Sequence, residues 1–120
     1  MLNAWPAPPV AFDVGCVAYS VPGRSLYELG GHRANSAWLA MVWLVRRAGD
    51  IADQLDPPAD APVRAWTSDG QEHARALLRL GRQETYAYTI HDGDVRYVLA
   101  AAPVVLVCHD AAREATCAAA

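Results

Sequence analysis

The chain has 120 residues, of which 53% are hydrophobic and 19% charged, and its formal net charge is −3. This composition fits a single domain with a packed core and excludes an intrinsically disordered chain. The negative charge excludes a broad basic surface for nucleic acid, because such a surface must displace counterions from phosphates, although a local arginine patch is compatible with it. The ten basic residues are all arginine, a bias that we attribute to a GC-rich, bacterial type of genome.

The sequence lacks the marks of export and of membrane insertion. Its first basic residue is Arg24, and three prolines interrupt residues 1–9, where a secretion signal would be apolar. The longest apolar run, residues 37–45, is far shorter than the roughly 20 residues of a membrane span. Three cysteines occur without a C-x-x-C pair: Cys16, Cys108 and Cys117. We therefore expect a cytoplasmic protein with reduced thiols and no membrane contact.

The first third of the chain predicts a Pro-rich arm, a hairpin and a helix. Residues 1–9 form the arm, residues 10–20 read as a strand, and Pro22-Gly23 is a turn that leads into a second strand over residues 25–29. After a Gly-Gly break, Asn35 or Ser36 can cap a helix that ends near Leu55.

Two faces of this helix carry large apolar residues. Helical spacing places the core on one face: Trp38, Met41, Val45, Ala48, Ala52 and Leu55. The opposite face carries Leu39 and Trp43, four residues apart. This pair predicts either a surface for a protein partner or second copy, or contact with a second layer of the same domain.

The middle of the chain predicts a short strand and a second helix. Residues 63–67 read as the strand. Asp69 is followed by Glu72 in the spacing of a capping box, so a helix begins there, continues through Leu80 and ends at Gly81. Its inward side chains are predicted to be Ala74, Leu77 and Leu78.

The last third predicts a hairpin, a strand and a helix. A turn at Asp92-Gly93 places tyrosines on one face, in the pairs Ile90 with Val95, Tyr88 with Tyr97 and Tyr86 with Leu99. A buried strand over residues 104–108 follows Pro103, and Asp110 can cap a final Ala-rich helix. The predicted fold class is α+β, with residues 10–120 as one domain, a mixed sheet of about six strands and the order ββαβαβββα.

Several short motifs resemble the ribonuclease H-like fold. The segment Phe12-Asp13-Val14-Gly15 is similar to the first acidic strand of that family, and residues 23–31 are similar to the strand after it. Asn35-Ser36 stands where the first helix of the family begins. Thr67-Ser68-Asp69-Gly70-Gln71 is similar to the second acidic strand, and His109-Asp110 is similar to the C-terminal helix. One expected motif is missing, since the family has a glutamate near the start of its first helix and this chain has no acid there.

The resemblance implies a nucleic-acid-directed protein. Asp13, Asp69 and Asp110 would then bind Mg²⁺ and His109 would move a proton, giving a phosphodiesterase; without the missing glutamate, an inactive relative is the alternative. From the residues alone, Asp69 and Asp110 are also ordinary helix caps. Asp13, inside an apolar strand, has to be paired, exposed or functional.

Two other functions are consistent with the sequence. The first is a non-enzymatic module that dimerises or binds a protein partner through Leu39 and Trp43. The second is a small-molecule pocket over the face of Tyr86, Tyr88 and Tyr97, since clefts lined by aromatic residues beside a sheet commonly hold ligands.

Overall fold

The computed structural model describes residues 10–23 and 25–105, which form one antiparallel sheet of four strands and three helices. The elements in chain order are β1 (Val10–Ser20), β2 (Leu26–Ala34), α1 (Ala37–Ala52), α2 (Asp60–Thr67), α3 (Gly70–Gly81), β3 (Tyr86–Asp92) and β4 (Val95–Val105). The α+β class is confirmed. The predicted six strands and their order are wrong, because the described part has the order ββαααββ. The predicted arm over residues 1–9 and the C-terminal helix lie outside the described residues.

The strand order β2-β1-β4-β3 makes β1 and β4 the centre of the sheet. Along β1, Phe12, Val14 and Cys16 are buried in the core beneath the helices. Successive side chains of a strand point to opposite faces. The side chain of Asp13, between Phe12 and Val14, therefore lies on the face away from the helices. The three helices of the described part therefore all lie on one face of the sheet.

The N-terminal hairpin is confirmed, but β2 is longer than predicted. It continues through Gly30 and Gly31 to Ala34 instead of ending at Leu29. The pairing with β1 shifts by one residue between Cys16 and Val17, which marks a β-bulge. Gly30 takes a φ of +146° at this bulge, a conformation that residues with a Cβ rarely adopt. The glycines bend the strand without ending it.

Helix α1 begins as predicted, with the Ser36 side chain accepting a hydrogen bond of 3.1 Å from the backbone N–H three residues on. The predicted core face is wrong at Trp38, which is 65% exposed. The side chains that the structure buries are Ala40, Met41, Leu44, Ala48, Ile51 and Ala52. The row Ala40, Leu44 and Ala48 faces the core. Trp38 lies two residues before Ala40, a rotation of about 200° around the helix axis, so its side chain points away from the core.

Helix α2 occupies the place of the predicted strand over residues 63–67. Its buried residues, Val63 and Trp66, are three apart, as the inner face of a helix requires. On its outer face Arg64 Nε lies 2.9 Å from Asp60 Oδ2, an i,i+4 ion pair. The strand predicted over residues 63–67 is therefore wrong: β-branched and aromatic residues are typical of strands, but here their spacing is that of a helix.

Helix α3 has the predicted cap, and of its predicted inner residues Leu77 packs against the core. The carboxylate of Asp69 accepts a hydrogen bond of 3.1 Å from the backbone N–H of Glu72. The helix buries Ala76 and Leu80, whereas Leu78, predicted to point inward, is 60% exposed. Ala74, also predicted inward, is exposed as well.

The C-terminal hairpin forms with a register two residues from the predicted one. The two residues between the paired Asp92 and Val95 are Gly93 and Asp94, and Gly93 takes a φ of +57°. Glycine in the first position of a two-residue turn favours this arrangement. The observed pairs are Ile90 with Tyr97, Tyr88 with Leu99 and Tyr86 with Ala101. A shift of two keeps every side chain on its predicted face.

Strand β4 passes through Pro103 without the predicted break. Tyr86 pairs with Ala101 at the start of β3, so Pro103 has β1 as its neighbour, where it pairs with Phe12. A residue without an N–H is tolerated where a strand lacks a second neighbour. Residues 106–108 of the predicted last strand lie outside the described part.

Candidate interaction surface

The structure places two of the three acids that were predicted to share a metal site, Asp13 and Asp69, in different layers. The side chain of Asp13 lies on the sheet face away from the helices, where its Oδ1 is 2.9 Å from Arg33 Nε in an exposed ion pair. Asp69 caps α3 within the helix layer. The sheet therefore lies between these two carboxylates. Asp110 and His109 lie outside the described residues, and within residues 10–105 no three His, Cys, Asp or Glu side chains group as a metal site would require.

Trp66 covers two of the tyrosines that were predicted to line a pocket. Its indole stacks on Tyr88, with the ring centroids 4.2 Å apart. Tyr86 is buried beneath the same helix. A cleft of about 200 Å³ remains beside the third tyrosine, Tyr97, between Leu29 of β2 and the second half of α1. The three tyrosines therefore do not form one open face.

A chain of two hydrogen bonds, one buried and one partly buried, connects the helices to β3. The indole N–H of Trp66 donates to the Tyr86 hydroxyl at 3.1 Å, and this hydroxyl donates to Glu72 Oε2 at 2.8 Å. Burial raises the pKa of Tyr86 to about 12, so the phenol stays protonated and keeps its donor. Because each polar atom has a partner, we interpret this chain as a structural link between α2, α3 and the sheet.

The outer surface of α1 carries a set of large apolar side chains, which we call the α1 stripe: Trp38, Leu39, Val42 and Trp43. Trp38 is 65% and Leu39 48% exposed, while Val42 and Trp43 are half-buried. Trp43 also packs against the core. The sequence predicted Leu39 and Trp43 and missed Trp38, although the row Ala40, Leu44 and Ala48 is the signal that would have turned Trp38 outward.

One side of the stripe borders a groove between α1 and α3. The groove has a volume of about 240 Å³ and is lined by Trp38, Met41, Val42, Val45, Arg46, Thr67, His73 and Leu77. Its walls are mainly apolar. His73 contributes a ring that lies edge-on to Trp66, with centroids 4.9 Å apart. Its Nε2 is buried and has no hydrogen-bond partner among the described residues.

The other side of the stripe borders a cleft where α1 passes β2. This α1–β2 cleft has a volume of about 330 Å³ and is lined by His32, Leu39, Val42, Trp43, Arg46, Arg47 and Asp50. It combines apolar walls with three basic side chains and one acid. Val42 and Arg46 line both the groove and the cleft, so the two depressions lie side by side along one helix.

Comparison with protein-family models, with curated proteins and with solved structures finds no match. The ribonuclease H-like resemblance therefore stays a prediction. None of the helices within the described ranges is long and apolar enough to cross a membrane.

Proposed function

We propose that this protein is a non-enzymatic interaction module that self-associates through the α1 stripe. The observation that carries the proposal is the exposure of Trp38, whose side chain is 65% accessible in the first turn of a helix that is otherwise well packed. Tryptophan removes a large apolar area from water when a partner covers it, and it is enriched among the residues that dominate binding energies. Leu39 beside it is also exposed.

The stripe is complementary to a second copy of itself. Trp38 and Arg46 lie four residues on either side of Val42, and all three line the same groove. Two α1 helices packed antiparallel about Val42 would place Arg46 of the second copy over the indole of Trp38. A guanidinium over an indole ring is a favourable cation–π pair, stronger when the contact excludes water.

Arg46 is available for such a contact. In the part of the chain that the structure describes, no acid lies within ion-pair distance of its guanidinium. A pairing with an indole of the second copy would therefore break no ion pair between described residues. The association costs less than it would if a salt bridge had to be opened first.

Helix α3 widens the apolar surface. Leu77 lines the groove next to the stripe, and Leu78, which follows it, is 60% exposed. Stable interfaces bury about 800 Å² on each partner, more than one helical stripe supplies. We therefore expect α1 and the outer face of α3 to form the interface together.

Sedimentation velocity tests the proposal. Over a range from about 1 to about 300 µM, which brackets the constants expected of a small interface, the sedimentation coefficient should rise from that of a monomer to that of a dimer. Trp38→Asp should keep the protein monomeric throughout, because a carboxylate would then be buried in the interface.

Leu26→Asp is the matched control, since Leu26 on β2 is 66% exposed, about as much as Trp38. This control should dimerise like the unmodified chain. A protein that stays monomeric over the whole range, or a Trp38→Asp variant that dimerises normally, would reject the proposal.

A further inference from the structure

We propose that the α1–β2 cleft is a binding site for a carboxylate attached to an apolar group, with Arg47 as its principal contact. The inference concerns a single copy of the chain and does not rest on self-association. Leu39, Val42 and Trp43 belong both to the cleft and to the α1 stripe, so the ligand and a second copy of the chain would compete for this surface. The carboxylate is expected to meet the basic side chains, and the apolar group the walls formed by Leu39, Val42 and Trp43.

The guanidinium of Arg47 lies close to two neighbours. Its Cζ lies 5.1 Å from the centroid of the Trp43 ring, in a cation–π contact. The bulge of β2 is also close, since a Cβ added to Gly30 would lie 3.0 Å from Arg47 Nη2. The missing side chain at Gly30 therefore makes room for the guanidinium. A side chain whose motion is already restricted by its neighbours loses less conformational entropy when a ligand binds.

Arg47 has unused hydrogen-bonding capacity. Among residues 10–23 and 25–105, no carboxylate or carbonyl oxygen accepts a hydrogen bond from its guanidinium, in contrast to Arg64, which binds both Asp60 and Asp53. The planar guanidinium presents parallel N–H groups that match the two oxygens of a carboxylate. A carboxylate ligand would accept hydrogen bonds from the guanidinium N–H groups of Arg47, which have no acceptor among the described residues.

Two of the other polar side chains of the cleft, those of Arg46 and His32, fit the same ligand. Arg46 and His32 line it beside Arg47 and offer further N–H donors. Asp50 is the one acid among the lining residues, and no basic group of the described chain forms an ion pair with it. With two arginines and one aspartate, the cleft carries a local positive charge on a protein whose net charge is −3. This local charge favours an anion.

Nuclear magnetic resonance titration of the full chain tests this site with three probes. Hexanoate carries both the carboxylate and an apolar chain, acetate the carboxylate with little apolar surface, and 1-hexanol the apolar chain alone. We expect hexanoate to shift the Arg47 Nε–H and Trp43 Nε1–H signals. Acetate and 1-hexanol should each bind at least about tenfold more weakly, the loss expected when about 1.4 kcal/mol of contact is removed.

Three variants assign the effect to Arg47. Arg47→Gln should weaken hexanoate binding at least about tenfold, and Arg47→Lys should weaken it less, because lysine keeps the charge and loses the planar fork. Arg82→Gln, which removes an exposed arginine at the end of α3, should bind hexanoate like the unmodified chain.

The titration also separates this site from the proposed dimer. Trp38 does not line the cleft, so the Trp38→Asp variant, which is expected to be monomeric, should bind hexanoate at least as tightly as the unmodified chain. Equal binding of hexanoate and 1-hexanol, normal hexanoate binding by Arg47→Gln, or loss of binding in Trp38→Asp would each overturn the assignment.

Discussion

The indole of Trp66 lies parallel to the phenol ring of Tyr88, with 4.2 Å between the ring centroids and 5° between the planes. Trp66 belongs to α2 and Tyr88 to β3, so this stack fixes a short helix to the edge of the sheet. It also fills the space that a ligand would need above the tyrosines. The large exposed side chains of the helix layer are instead on α1 and α3, which is why we place the functional surface there.

Tyr86→Phe should destabilise the protein. The hydroxyl accepts from Trp66 and donates to Glu72, so its removal leaves a buried indole N–H without an acceptor, at a cost of about 1–3 kcal/mol. Urea unfolding followed by tryptophan fluorescence measures the change. Tyr27→Phe is the control, because Tyr27 is exposed and its change should stay within about 0.5 kcal/mol. Equal losses in both variants would contradict the role given to the hydrogen-bond chain.

The stability of the protein should fall steeply in alkaline solution. Burial raises the pKa of Tyr86 from 10.0 to about 12, so the folded state holds this proton where the unfolded state has lost it. The stabilisation from the protonated phenol is complete below pH 10 and is lost as the pH rises from 10 to about 12. The unfolding free energy, measured across this window, should decline less steeply in Tyr86→Phe. Identical slopes would show that Tyr86 titrates normally.

Two glycine substitutions should change the free energy of unfolding in opposite directions. Gly30→Ala puts a Cβ on a residue with a φ of +146° and 3.0 Å from Arg47 Nη2, which should cost about 1–3 kcal/mol. Gly49→Ala, inside α1, adds a Cβ with no atom within 4 Å and should stabilise by about 0.5–1 kcal/mol through helix propensity. Thermal unfolding of both variants checks this pair. A neutral Gly30→Ala would mean that the bulge tolerates a side chain.

Substitutions at Asp69 should follow the chemistry of a helix cap. Asp69→Ala removes the acceptor for the backbone N–H of Glu72 and should cost about 1 kcal/mol, whereas Asp69→Asn keeps a capping oxygen and should cost only a few tenths. Urea unfolding with and without Mg²⁺ compares the two. A Mg²⁺-dependent stabilisation that both substitutions abolish would favour the predicted metal site over the cap.

Local signals in the sequence predicted much of this fold. Strand β1 and the caps at Ser36 and Asp69 depend on residues within a few positions of each other, and all three are confirmed. The prediction of a strand over residues 63–67 was wrong because it relied on the composition of the segment and not on the i,i+3 spacing of Val63 and Trp66. The order of the strands could not be predicted, because it depends on pairings between distant parts of the chain.

The candidate surface was predictable in part. The four-residue spacing of Leu39 and Trp43 was visible in the sequence, but the rotation of α1 about its axis depends on which side chains fit against the sheet. The alanines at 40 and 48 allow the closest approach and turn Trp38 outward. The α1–β2 cleft could not be predicted, because it requires β2 to continue past Gly30 and place His32 in the same cleft as Arg46.

Disulfide trapping tests the proposed self-association most directly. In an antiparallel pairing of two α1 helices about Val42, residue 42 of one copy lies beside residue 42 of the other. Mild oxidation of Val42→Cys should therefore yield a covalent dimer well above the background of the unmodified chain, while Leu26→Cys, exposed on β2, should not. A Val42→Cys variant that stays monomeric, or a Leu26→Cys variant that cross-links equally well, would contradict the proposed interface.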